Sequence, residues 1–170
     1  MSESRGTTGW EAPSEPAGPG PGVQFAPYGD RLVAYILDGI IIGVFVIVAT
    51  VIAAIVLGTG LSGTRENPTV SPAAAGGFVA IIVVVIVIAT AYFPWFWLRG
   101  GATPGMKRFR LRVVRDSDGG RITGGAAVLR FIGMWVSSAV FYLGFAWILF
   151  DARRRDWHDL IAGTVVVKDV

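Results

Sequence analysis

The chain has 170 residues, one small domain's worth, of which 53% are apolar and only 16% charged, with a mean hydropathy of +0.60. An ordinary soluble globule carries nearer about a quarter charged residues, so that class is excluded. The absence of cysteine excludes a disulfide framework, a thiol nucleophile and a thiolate zinc site, and the lone His158 cannot build a histidine cluster. The net charge of +3 is no argument for nucleic acid, because the basic residues mostly flank apolar runs, where they report membrane topology.

Residues 1–29 hold Pro13, Pro16, Pro19, Pro21 and Pro27 among several glycines, with little that could bury a core. That composition predicts a disordered tail. The first apolar run starts too late and is too long for a cleaved signal peptide, so it is expected to stay in the mature protein.

No charge occurs between Asp38 and Arg65, between Glu66 and Arg99, or between Arg130 and Asp151. Each gap is of membrane-span length. The first predicted span, 32–57, gives about 39 Å of helix at about 1.5 Å per residue, more than a hydrocarbon core of about 30 Å requires. A Gly, Ser, Thr and Pro-rich connector follows, read as a polar loop with no packed element. The second span, 78–98, ends in aromatic residues, with Pro94 placed to kink or end the helix.

From Arg99 to Arg121 the chain carries seven basic residues against two acids. This is its strongest positive-inside signal, and it predicts that the stretch and the N-terminal tail are both cytoplasmic. Within it, Arg108, Arg110 and Arg112 alternate with Phe109, Leu111 and Val113, the period of a half-buried strand, and Asp118-Gly119-Gly120 supplies a hairpin turn before Arg121-Ile122-Thr123. Gly101, Pro104 and Gly105 read as a turn out of the second span. The GATPGMK segment lacks the spacing of a phosphate-binding loop. Lys107 and Arg108, and later Arg153, Arg154 and Arg155, are expected to face anionic lipid headgroups.

The third apolar region, 131–150, either spans or re-enters. A full crossing would put the arginines of DARRRDWHD outside, against the charge rule, so a re-entrant hairpin turning near Tyr142-Leu143-Gly144 is preferred. It would also return the terminal strand TVVVK, 164–168, to pair with the 108–114 strand. Ser137 and Ser138 are expected to be packing or turn residues. Pairs of Asp151 with Arg155 and of Arg155 with Asp159 would steady a short surface helix that Gly163 caps. The resulting fold class is an all-α membrane protein with two full transmembrane helices, a third spanning or re-entrant region, and a small cytoplasmic β element.

Asp38 lies inside the first span, where an acid costs about 3 kcal/mol on insertion scales and needs a partner. Arg31, two turns earlier, shares its helix face at about 10 Å and cannot easily touch it, so each should meet a third group. Arg130 is a candidate partner for Asp38, and Asp151, Asp156 and Asp159 are candidates for Arg31. His158 is a candidate proton relay to Asp38.

The segments RLVAYILDGII at 31–41, GATPGMKRFRLRVV at 101–114, LR at 129–130 and LFDARRRDWHDLIAGTVVV at 149–167 together resemble the RDD family of small bacterial membrane proteins over residues 30–168. The family is named for one arginine and two aspartates. The resemblance implies Arg31 and Asp38 for the first two and Asp159, with Asp151 as the other choice, for the third. Trp157 stands where the family commonly has a small residue. What the resemblance implies of function is transport of an undefined small ion or solute, with cation/proton exchange suggested for some members; the expected location is the cell membrane, and because a chain this small has few helices to line a path, homo-oligomerisation is a corollary. A non-transporting adaptor whose buried charges are structural is the alternative. No enzyme activity, cofactor, metal or nucleic-acid partner is expected.

Overall fold

The computed structural model describes residues 22–141 and 143–169. Strand β1 is Val23–Phe25, helix α1 Tyr28–Thr59, and a hairpin of β2 (Leu61–Gly63) and β3 (Pro68–Val70) leads to helix α2, Pro72–Gly100. After it come α3 (Pro104–Arg108), β4 (Leu111–Arg115), α4 (Gly124–Ala139), α5 (Leu143–Ala146) running into a 3-10 turn over Trp147–Leu149, α6 (Trp157–Ala162) and β5 (Thr164–Asp169).

The two long helices form on long apolar runs with few polar interruptions, and their ends are marked by local signals. Ser71 caps α2 by accepting a hydrogen bond from the Ala74 N–H, Pro72 occupies its first turn, and Gly101 closes it in the left-handed conformation at φ 69°. Most of their surface is apolar and uncovered: Ile47 is 65% exposed and Val87 59%. Both helices are long and apolar enough to cross a membrane, and such surfaces belong in lipid. Helix α2 runs through Pro94 to Gly100, so the proline removes one backbone hydrogen bond without ending the helix. The connector is not a bare loop. Leu61 pairs with Val70 and Gly63 with Pro68, and the Ser62 and Thr69 hydroxyls meet at 2.9 Å.

At the opposite end of the two helices a three-stranded antiparallel sheet is ordered β1-β5-β4. The expected pairing of the terminal strand is present, with Leu111 opposite Lys168, Val113 opposite Val166 and Arg115 opposite Thr164. The strand begins later than its alternation suggested. Lys107 and Arg108 belong to α3, and Arg110, at φ 56°, turns the chain from helix into strand. Residues 121–123 do not form the returning strand expected there; β5 takes that role.

Order also begins before residue 30. Val23 pairs with Asp169 and Phe25 with Val167, because Phe25 packs with Val114, Val165 and Val167 on one sheet face. The other face sets Leu111, Val113 and Val166 against Trp97, Met106, Ile122 and Ala127. A strand covered on both faces reads as a continuous apolar run, which is why TVVV shows no alternation. The remainder of the expected tail, 1–21, lies outside the described residues.

The third apolar region is not one straight helix. Helix α4 and the segment Leu143–Leu149 are bent by 108° to each other, so the chain turns where the hairpin was expected; Tyr142 lies outside the described residues. Ser137 is buried and donates to the Gly133 carbonyl at 2.8 Å. Gly133 lets α4 rest on α6, since a Cβ there would stand 2.8 Å from the Cα of His158. Gly133→Ala is expected to cost about 1–3 kcal/mol through overpacking, read as a lowered melting temperature in detergent; an unchanged one would contradict this helix contact.

Candidate functional site

The buried face of α1 carries Arg31, Ala34 and Asp38, with Tyr35 half-buried beside them. Arg31 and Asp38 do not meet; each is the start of a separate polar hub.

Asp38 is fully buried and accepts three hydrogen bonds. The Tyr92 hydroxyl of α2 donates to Oδ1 at 2.9 Å, the Gly105 N–H of α3 donates to Oδ1 at 2.9 Å, and the Thr103 hydroxyl donates to Oδ2. Thr103 is also the cap of α3, accepting from the Met106 N–H at 3.2 Å. The GATPGMK turn is thereby explained. A Cβ at Gly105 would lie 2.3 Å from the Ala34 carbonyl oxygen and 2.9 Å from the Asp38 carboxyl, so only glycine lets the α3 backbone reach that carboxylate. Arg130 is not its partner, and His158 bonds elsewhere. Neutral donors satisfy Asp38 in place of the expected cation.

Asp159 is the second hub. Its Oδ2 receives Arg31 Nη1 at 2.7 Å, and its Oδ1 receives Arg130 Nη1 and the Thr164 hydroxyl, the latter at 3.1 Å. Arg31 Nη1 also reaches Asp156 Oδ2 at 3.1 Å, and Nη2 donates to the Val166 carbonyl at 3.3 Å. Arg130 adds a bond from Nη1 to Thr164 Oγ1 at 2.7 Å and lies with its guanidinium carbon 5.0 Å from the centre of the Trp97 ring. Elements α1, α4 and β5 therefore converge on one carboxylate of α6, and α2 joins them through the Trp97 ring against Arg130. Of the three acids offered for Arg31, Asp156 and Asp159 take it. Asp151 instead accepts from the Arg155 side chain, at 2.9 Å from each of two guanidinium nitrogens, and its Arg155 partner holds it below the usual carboxylate range.

Local sequence sets the α6 side of this network. Asp156 is the cap residue of α6, and Asp159, three positions on, reaches back to the Asp156 N–H at 3.3 Å, the reciprocal contact of a capping box. Gly163, at φ 61°, ends the helix as expected. The expected Arg155 to Asp159 pair is absent, because Asp159 faces inward and Arg155 turns to Asp151 and, at 3.0 Å, to Asp116.

His158 is fully buried, with Nε2 3.2 Å from the Tyr35 hydroxyl. Burial first, then the Arg130 and Arg31 guanidiniums, hold it well below the ordinary imidazole range, so the ring is neutral. Burial pushes Asp156 up to about 6 against the opposing pull of Arg31 and Arg130. Asp156, His158 and Asp159 offer donor atoms within 4.8 Å of one another, a spacing a metal could use, but both carboxylates already face guanidiniums, which makes this an ion-pair network.

The expected headgroup-facing residues divide. Lys107 and Arg108 are exposed, and among the described residues neither forms an ion pair. Arg153 pairs with Asp116 at 2.9 Å, Arg154 donates to the Phe25 carbonyl at 3.4 Å, and half-buried Arg155 holds two acids. The three arginines are mainly ties between the bent segment, the β4 turn and β1.

A cavity of about 530 Å³ opens beside the second hub. Its walls are Tyr28, Leu32, Tyr35, Phe93, Met134, Phe141 and the bent segment's Leu143, Phe145, Ala146 and Ile148, and the charged groups lining it are Arg31 and Asp156. Asp38, Arg130, His158 and Asp159 are fully buried and do not line it. Sequence reasoning missed Tyr35 and Tyr92, and it offered Asp156 as a partner of Arg31 but not as the cap of α6. Tyr35 was findable, being four residues from Arg31 and three from Asp38 on one helix stripe; Tyr92 carries a hydroxyl in an apolar run.

Because removing one partner leaves an uncompensated buried charge, Arg130→Met is expected to cost about 3–5 kcal/mol. Arg130→Met combined with Asp159→Leu should cost clearly less than the two single losses added together. Chemical unfolding of the three variants in detergent checks this, and strict additivity would contradict the pairing.

The sequence pattern of the RDD family matches residues 25–163. A proline-rich antigen of Mycobacterium leprae is 25% identical over 143 residues, covering 79% of this chain and 57% of its own length. An uncharacterized protein of Rickettsia prowazekii is 31% identical over 90 residues, 53% of this chain and 50% of its own. The uncharacterized protein YxaI of Bacillus subtilis is 30% identical over 143 residues, 81% of this chain and 93% of its own. The chain thus spans 57% and 50% of the length of the first two relatives. No solved structure matches. Two long apolar helices and this family point to a membrane protein. The family match runs from the end of β1 to the cap of α6, through Arg31, Asp38 and Asp159, and the chain belongs to the RDD family.

Proposed function

We propose that this is a multi-pass cell-membrane protein that binds a small ion or solute in the cavity beside Arg31 and Asp156 and moves it across the bilayer with a proton. One observation carries the reading. Among the buried charges of the two hubs, Arg31 and Asp156 line the cavity, whereas the others are enclosed. A buried ionisable group that faces a cavity is a functional candidate, and one sealed among donors is a structural one. Asp156, raised to about 6, exchanges a proton close to neutral pH. Asp38 and Asp159 hold the helices that frame the cavity. In this reading the basic end, with Arg99, Lys107, Arg108 and Arg121, lies in the cytoplasm beside anionic headgroups, together with the N-terminus. Several copies would supply the helices that line a path.

A second reading is an adaptor whose charges only lock the fold, and the complete hydrogen bonding of Asp38 favours it. Proteoliposomes carrying a pH-sensitive dye separate the two under imposed sodium, potassium or organic-anion gradients. Wild-type protein is expected to couple proton movement to one of these gradients, and Asp156→Asn to lose at least about tenfold of the rate while remaining folded. No coupled movement in wild type under any gradient would support the adaptor.

A further inference from the structure

We propose that the cavity beside Arg31 is a binding site for an amphipathic organic anion, an apolar or aromatic body ending in a carboxylate, taken up by the Arg31 guanidinium. The inference rests on the reading of this cavity as the binding site, and it names the class of ligand.

The walls and the floor differ in chemistry. Tyr35, Phe93, Phe145 and Ile148 offer apolar and ring surface, suited to an apolar body of a few fused or linked rings. At the floor stands Arg31, only 3% exposed, whose Nε–H has no hydrogen-bond partner. A buried guanidinium nitrogen without an acceptor is uncommon; Arg130 Nε shares the condition but is enclosed, whereas Arg31 borders the cavity and can take an acceptor from it. Its Nη1 is shared between Asp156 and Asp159 and its Nη2 donates to the Val166 carbonyl at 3.3 Å, so the Nε–H is the donor left open, and a carboxylate that takes it gains a charge-assisted bond to the guanidinium.

The competing class is a lipophilic cation attracted to Asp156 and the rings. Arg31 argues against it, since its guanidinium nitrogen is 3.1 Å from the Asp156 carboxylate and would repel a second cation at the same acid.

Charge balance then prescribes a proton. The groups around Asp156 are Arg31 and Tyr35 from α1, Arg130 from α4, and neutral His158 with Asp159 from α6. With both acids ionised, two guanidiniums face two carboxylates and an arriving anion gains no net partner. With Asp156 protonated, one positive charge is left over for the ligand. The direction of coupling follows: Asp156 takes its proton as pH falls through about 6, so anion binding is strong below that value and weakens above it. If only the protonated form binds, apparent affinity falls about tenfold per pH unit above 6.

The test is equilibrium binding of 2-naphthoate to the full chain in lipid nanodiscs, with empty nanodiscs as blank and 2-naphthylmethylammonium as the cationic probe. Expected is binding of naphthoate at least about tenfold tighter than the amine at pH 5.5 and the loss of about tenfold per pH unit above 6. Asp156→Asn, which keeps a good helix cap, should bind at pH 8 as wild type does at pH 5.5. Ala146→Trp, which fills the cavity from its half-buried wall and leaves the ion pairs in place, should weaken binding at least about tenfold at every pH. Absence of naphthoate binding, preference for the amine, a pH slope that persists in Asp156→Asn, or binding indifferent to Ala146→Trp would each overturn the proposal. Proton-coupled ion flux without naphthoate binding would remove the ligand class and leave the transport reading standing.

Discussion

The structure depends on one carboxylate placed between two guanidiniums. Asp159 is held by Arg31 from the start of the first long helix and by Arg130 from α4, which ties α6 to both helices. Each of these charges is costly to bury alone, and together, with bonds to Thr164, the Val166 carbonyl and the Asp156 N–H, they become affordable only in this one arrangement. An apolar chain in lipid has little hydrophobic gradient to tell one helix packing from another. A fixed set of ionic partners provides that selection.

Asp38 repeats the device with neutral donors. Tyr92, Thr103 and the Gly105 N–H bind α1 to α2 and to the turn that leaves α2. The two hubs stand on one stripe of α1, so that helix is the common post on which the sheet, the bent segment and α3 are hung. The cavity exists because the bent segment Leu143–Leu149 turns at 108° to α4 and stands off from Arg31 in place of closing on it. Structure and proposed binding thus share the same arginine.

Much of this was legible in the residues. Gaps in the charge pattern located both long helices, the TVVVK run and the basic alternation located the β4–β5 pair, and Gly163 announced the end of α6. Arg31 and Asp38 declared themselves because a charge in an apolar run demands a partner. Which partner was not readable. Arg130 and Asp38 both looked unpaired along the chain, and their pairing was excluded only by the fold, which brings Asp159 to Arg130 and Thr103 to Asp38 from far along the sequence. Strand β1 was hidden by its neighbours: three residues beside a Pro and Gly-rich stretch carry little pattern, and they are ordered by an edge that β5 alone provides.

Asp159 as a shared acceptor is the central claim, and solid-state NMR in lipid bilayers can test it directly. With arginine nitrogens labelled as ¹⁵N and aspartate carboxyl carbons as ¹³C, nitrogen-carbon dipolar recoupling should show two guanidinium groups in close contact with one carboxyl carbon. Substitution of Asp159 should remove both contacts, and the weaker Arg31 contact to Asp156 should survive. A spectrum in which Arg31 and Arg130 contact different carboxyl carbons, or none, would contradict the account.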